Sequence, residues 1–277
     1  MENGWRKRVT MLKDITLGQY YQTDSVIHRL DPRVKLMATV IFIIGLFVVD
    51  NMVGYLLAAV FLVMAIRLSH VPFKFMMKGM KAILFLLILT VIFNLFLTQG
   101  EPLVQIWKLT ITKEGVRTAV FMAIRLSFLI VGSSIMTLTT TPNNLTDGLE
   151  DLLNPLKKLH LPVHEIAMMM SIALRFIPIL MEETDKIMKA QIARGADFES
   201  GNLINKAKSM VPLLVPLFIS AFRRANDLAM AMESRCYRGG EGRTKMKPLI
   251  YQKRDYCAYG VLALYLVLTI LIGKILL

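Results

Sequence analysis

The sequence predicts an all-α integral membrane protein, with about five transmembrane helices and a cytoplasmic platform of long helices. Three observations carry that prediction. Hydrophobic residues make up 55% of the 277 and the mean hydropathy is +0.53, more apolar than an ordinary soluble domain. The apolar residues come in long blocks, near the length at which a helix crosses the hydrocarbon of a bilayer. Lys and Arg, 33 against 20 Asp and Glu, lie mostly between those blocks, which assigns the positive charge to orientation and anionic lipid, not to nucleic acid.

Residues 1–35 form a basic N-terminal segment without the compact apolar core of a secretory signal, and it is expected to be retained. Region 36–138 is expected to hold four spans. Blocks 36–49 and 52–66 flank Asp50 and Asn51, a pair suited to a tight turn. They read as a helical hairpin whose arms are short for a full crossing. A third block covers 82–97 and a fourth 119–138, interrupted by Arg125. An arginine there can bind a helix C-terminus, snorkel toward lipid phosphate or pair across a subunit interface. The fifth block, 258–273, lies within a C-terminal span at 256–277. Five crossings put the termini on opposite sides. The distribution of Lys and Arg then places the N-terminus and the long stretch 139–255 in the cytoplasm and the C-terminus outside.

Region 139–255 holds two helical patterns. Ile166, Met170, Ala173, Ile177 and Leu180 recur in steps of four and three, with Pro178 expected to kink the helix and Gly195 to end it. Residues 210–222 are apolar but contain Pro212 and Pro216, and are too short to span, so a re-entrant or interfacial position is expected. Downstream, Phe218, Phe222, Ala225, Ala229 and Met232 predict a helix that ends near Arg235, ahead of Gly239 and Gly240.

The chain lacks a glycine-rich cradle ending in Gly-Lys-Ser or Gly-Lys-Thr, so ATP hydrolysis by the chain itself is not expected. His160 and His164 are interrupted by Pro162 and make a poor metal pair. Cys236 and Cys257 do not indicate a disulfide framework. Asp147, Glu150 and Asp151 invite comparison with a membrane-embedded lipid-phosphate transferase, but Thr146 or Asp147 capping a short helix is the simpler account. Ionisable residues are too sparse in the spans to favour a self-sufficient ion-coupled carrier.

Two segments, AQIARG at 190–195 and AMESRC at 231–236, echo each other 41 positions apart. A basic residue complementing a helix C-terminus is common. Its duplication also suits two arginines that each dock, through charge-assisted forks, into one of two similar partners. At these segments, and at HRLDPRVKL (28–36), LTTTP (138–142) and RFIP (175–178), the chain resembles the transmembrane subunits of energy-coupling factor transporters over nearly its whole length. The resemblance implies a non-catalytic subunit of an ATP-driven importer of vitamins or micronutrients in a bacterial cell membrane. Its implied partners are two ABC-type ATPases, which bind ATP and Mg, and one substrate-binding membrane subunit. This chain is expected to bind no cofactor or metal itself. Carried over by residue, one ATPase-docking turn is Ala193, Arg194 and Gly195. The other is Ser234, Arg235 and Cys236, where serine and cysteine depart from the family's usual alanine first and glycine or serine third. The 19 methionines, with runs at Met76, Met77, Met80 and Met168 to Met170, either fill a helical core or let one subunit repack against several exchangeable binding proteins. A dedicated cobalt or nickel system stays open within the family.

Overall fold

The computed structural model describes residues 20–106, 109–196, 198, 203–240, 246 and 248–275, so the expectation for residues 1–19 lies outside it. The fold is all-α. Its helices are α1 (Pro32–Val48), α2 (Met52–Ser69), α3 (Phe73–Leu97), α4 (Lys113–Thr139), α5 (Pro142–Leu153), α6 (Val163–Ala193), α7 (Leu203–Ser234) and α8 (Lys253–Ile275), with a 3₁₀ turn at Asn154–Leu159. Between α3 and α4 lies a short antiparallel pair, β1 (Pro102–Ile106) and β2 (Leu109–Thr112), which the search for apolar blocks did not foresee. Among the described residues, four helices are long and apolar enough to cross a membrane: α2, α4, α6 and the Lys253–Lys274 part of α8. In α3 the apolar run is the shorter Ile83–Leu97. The inclusion of α6 differs from the sequence reading, which assigned that helix wholly to the platform.

The chain divides into two compact units. One is Gly18–Leu152 with Pro248–Leu277; the other includes Leu153–Lys247. In the first, α1 packs on α2, α4 and α8, while α3 packs along α4. Small residues let these helices approach, as expected where lipid is no worse a neighbour than another side chain. A Cβ on Gly132 of α4 would stand 2.6 Å from the Phe42 ring of α1, and one on Gly45 of α1 would stand 2.8 Å from the Tyr265 hydroxyl of α8. Phe61 of α2 stacks on Tyr265 at 4.7 Å and on Phe42 at 5.7 Å, which completes an aromatic core. Met76 is fully buried there and Met80 packs against the same core, whereas Met77 is exposed.

A polar knot fastens one end of this unit, and the HRLDPRVKL run forms it. Asp31 caps α1 by accepting from the Arg33 N–H at 2.9 Å, with Pro32 in the first turn. Burial alone would raise the Asp31 carboxyl, but the Arg33 hydrogen bonds outweigh it and hold it below the usual range. The Arg33 guanidinium also donates to the Leu249 carbonyl, lies over the Tyr251 ring at 3.9 Å and pairs with Asp151 of α5 at 3.6 Å. Asp255, 1% exposed, accepts from the Gln252 N–H at the start of α8 and from the Asp31 N–H at the start of α1. One carboxylate therefore sits at the positive ends of two helices. Lys35, just ahead of the apolar run, donates to the carbonyls of His28 and Thr139. Burial pushes its ammonium down to about 8, although Asp255 and Asp31 pull the other way.

At the opposite end of α1, Arg125 of α4 gathers the α1–α2 turn. It donates to the Val49 carbonyl at 3.0 Å, the Tyr55 hydroxyl at 2.9 Å and Asp50 at 2.9 Å. Of the roles open to an intramembrane arginine, binding a helix C-terminus is the one it takes. The 17 residues of α1 measure roughly 25 Å at 1.5 Å per residue, below the roughly 30 Å of hydrocarbon, so Arg125 holds the turn part-way along the longer α4.

α5 starts at Pro142, earlier than Thr146 or Asp147 would place it. Thr141 supplies the cap, its Oγ1 accepting from the Asn144 N–H at 3.4 Å, while the Thr146 hydroxyl turns back to the Pro142 carbonyl. The correction has a simple cause: proline in the first turn needs no N–H partner, so the threonine before it becomes the cap.

Candidate functional site

The second unit presents α6 and α7, which pack against each other. Ile172, Phe176 and Leu180 of α6 share an apolar groove with Ala221, Ala225, Leu228, Ala229 and Met232 of α7. Ala225, Ala229, Met232 and Leu180 belong to the faces expected from the periodicity. Ile166, Met170, Phe218 and Phe222, expected on the same faces, do not line the groove: they are exposed, the two phenylalanines at 62% and 69%. The groove on α6 instead follows Ile172 and Phe176, and the faces turned away from it remain apolar. Met169 and Met170 are among the exposed residues, unlike Met76.

α7 is one helix of 32 residues, so the apolar run 210–222 is its interior and not a separate re-entrant piece. The prolines are accommodated by a neighbour. Pro216 lacks the N–H that would bond the Pro212 carbonyl, and the Gln191 side chain of α6 donates to that carbonyl at 3.3 Å. Nearer the middle, Arg224 pairs with Glu183 at 3.4 Å. Positions descend along α6 as they ascend along α7 (Gln191 with Pro212, then Glu183 with Arg224), so the helices are antiparallel.

Both helices end in the same way. After α6, Arg194 is the C-cap; the Gly195 N–H bonds the Ile192 carbonyl at 2.9 Å and the Ala196 N–H bonds the Gln191 carbonyl at 3.0 Å. After α7, the Cys236 N–H bonds the Glu233 carbonyl at 2.8 Å and the Tyr237 N–H bonds the Met232 carbonyl at 3.0 Å. These paired bonds are the Schellman pattern, with arginine in the cap position each time. The residue after each cap is left-handed, Gly195 at φ +87 and Cys236 at φ +56. Ala193, Arg194, Gly195, Ser234, Arg235 and Cys236 are all exposed, and among the described residues neither arginine is held in an ion pair. The backbone thus turns each guanidinium out at a carbonyl-rich helix end.

The two ends are not brought together. Met232 borders the same groove as Ile172, so Arg235 lies near the start of α6 and Arg194 at its finish, roughly 30–40 Å apart at 1.5 Å per residue. That is about the diameter of a small domain. Two separate partners can each receive one turn.

The rival chemistries gain little here. Among the described residues no group of three or more His, Cys, Asp or Glu could hold a metal ion, and Asp151 is paired with Arg33. What the sequence reading overlooked is Asp255. An acid at the third position of a helix is a visible capping signal, but its second bond reaches 224 positions back.

A family profile described as cobalt transport protein, CbiQ, matches residues 23–246. The chain is 57% identical over 267 residues to the energy-coupling factor transporter transmembrane protein EcfT of Clostridium kluyveri, which covers 96% of this chain and 98% of the relative. It is 56% identical over 255 residues to the protein of that name from Thermosediminibacter oceani, with 91% and 96% covered. Against that of Bacillus subtilis it is 49% identical over 246 residues, with 88% and 93% covered.

Proposed function

The chain belongs to the EcfT family of energy-coupling factor transporter transmembrane proteins, and on that premise we propose that it is the subunit that transmits motion from two ABC-type ATPases to a substrate-binding membrane subunit during vitamin or micronutrient uptake. One observation carries the proposal: two arginine-capped helix ends of matching geometry, exposed and a domain's width apart on one antiparallel pair. Two similar ATPases would each take one end, the Arg194 or Arg235 guanidinium entering a carboxylate-bearing cleft. Closure of the ATPases on ATP and Mg would then pull on the far ends of α6 and α7 in opposite senses, and their exposed apolar faces would pass the motion to the substrate-binding partner. Catalysis resides in the partners under this reading, and this chain binds neither nucleotide nor metal. The side that bears Arg194 and Arg235 is the cytoplasm, since ATP is there.

The test is affinity purification of the tagged chain in mild detergent, wild type beside Arg194→Glu and Arg235→Glu, with companions identified by mass spectrometry. Wild type should return two ATPases and a small apolar membrane protein. Removing one arm of a desolvated charge pair costs roughly 2–5 kcal/mol, enough to lose an ATPase on washing. Charge reversals that keep both ATPases would remove the arginines from the interface.

A further inference from the structure

Within the first unit, a cavity of about 430 Å³ lies between α1, the second half of α2, the end of α4 and the start of α8. Its walls are apolar, with Phe42, Ala65 and Leu262 among them. The hydroxyls of Thr39 and Thr139, which also border it, are spent on their own helices' carbonyls. Val26, Met64, Leu68 and Val261 belong to its rim and are 41–55% exposed, so the cavity opens sideways onto the apolar perimeter of the bundle. A membrane protein's apolar perimeter faces acyl chains.

Two cations border this apolar space, Lys35 and Arg254, near enough to repel each other. The acids around them are already committed. Asp31 is taken by Arg33, and both oxygens of Asp255 accept backbone N–H groups. Among the described residues Arg254 has no hydrogen-bond or ion-pair partner, and its Nε is buried without one. Lys35 gives two of its three N–H groups to carbonyls and keeps one. A buried donor without an acceptor is costly, and the ligand that removes the cost here must bring an anion attached to an apolar tail.

We infer that the cavity is a binding site for an anionic phospholipid of the surrounding leaflet, one acyl chain filling it and the phosphate accepting from Arg254, with Lys35 behind. Pockets of this size, mostly apolar with a few placed polar groups, suit small ligands, and basic pockets between spanning helices receive anionic headgroups. The site shares no residue with the arginine turns of α6 and α7, and its test does not depend on their partners.

The test is native mass spectrometry of the full chain, titrated with phosphatidylglycerol, phosphatidylcholine or oleate of matched chain length. One phosphatidylglycerol should be retained in preference to phosphatidylcholine. Arg254→Gln should weaken that binding about fivefold, as expected for one cation at a membrane surface, and Ala65→Phe should abolish it by filling the cavity. In the unaltered chain, phosphatidylglycerol but not phosphatidylcholine should slow alkylation of Cys257, which is exposed and borders the cavity, with the modified peptide identified so that Cys236 needs no change. Equal retention of the two phospholipids by wild type overturns the proposal, even if either variant fails to fold. A preference for oleate over phosphatidylglycerol would replace phospholipid by free fatty acid and overturn it equally. Unchanged Cys257 reactivity in phosphatidylglycerol would put the bound lipid elsewhere.

Discussion

Cys236 is where the two matching helix ends differ in energy. Gly195 adopts its left-handed backbone freely, whereas a residue with a Cβ pays roughly 1–2 kcal/mol for that conformation. Part of this returns as lower entropy of the unfolded chain, so Cys236→Gly should tighten the end of α7 by about 0.5–1 kcal/mol. The reading is slower hydrogen exchange at the Tyr237 amide, which bonds the Met232 carbonyl. Gly195→Ala should do the reverse at the Ala196 amide. Faster exchange in Cys236→Gly would mean that the cysteine side chain holds the turn. The arginines were legible in the sequence because a C-cap is a local signal. The strain at Cys236 was not, since cysteine at that position looks like a substitution and only the backbone angle exposes its cost.

At the scale of elements, Arg125 shows how one side chain sets the reach of a hairpin. Its contact with Asp50 is an ion pair in name, but the Asp50 side chain is 83% exposed, and such pairs contribute at most about 1 kcal/mol. Its bonds to the Val49 carbonyl and Tyr55 hydroxyl are more sheltered, because Val49 and Tyr55 are both buried. Asp50→Asn should therefore cost under about 0.5 kcal/mol, and Arg125→Met, which strands two buried acceptors, about 2 kcal/mol or more, by thermal unfolding in detergent. Equal costs would make the exposed pair the operative contact. The hairpin was legible from its blocks and polar turn, but where its tip sits against α4 was not, because Arg125 selects its partner only in three dimensions. α7 teaches the same lesson: Pro212 and Pro216 suggested a break, and Gln191 on another helix supplies the bond that keeps the helix whole. The β1–β2 pair escaped notice because a search for blocks near 20 residues cannot detect strands of five and four.

For the whole molecule, the arginine turns have a coupling role only if they share a compartment with ATP. The α1–α2 turn lies at one end of α1 and the Asp31, Lys35 and Asp255 knot at the other, and the proposed orientation turns the first outward and the second toward the cytoplasm. Residues 139–255 carry more Lys and Arg than Asp and Glu, whereas the α1–α2 turn carries neither Lys nor Arg, and the proposed orientation rests on that difference. In the proposed orientation Asp50 therefore faces outward and Cys236 inward. A membrane-impermeant maleimide applied to intact cells should label Asp50→Cys but leave Cys236 untouched, and permeabilisation should make Cys236, exposed at its turn, reactive as well. Labelling of Cys236 from outside intact cells would place the α7 arginine turn where there is no ATP to use. Both the topology and the coupling proposal would then fall together, because an ATPase cannot dock on a helix end across the bilayer from its nucleotide.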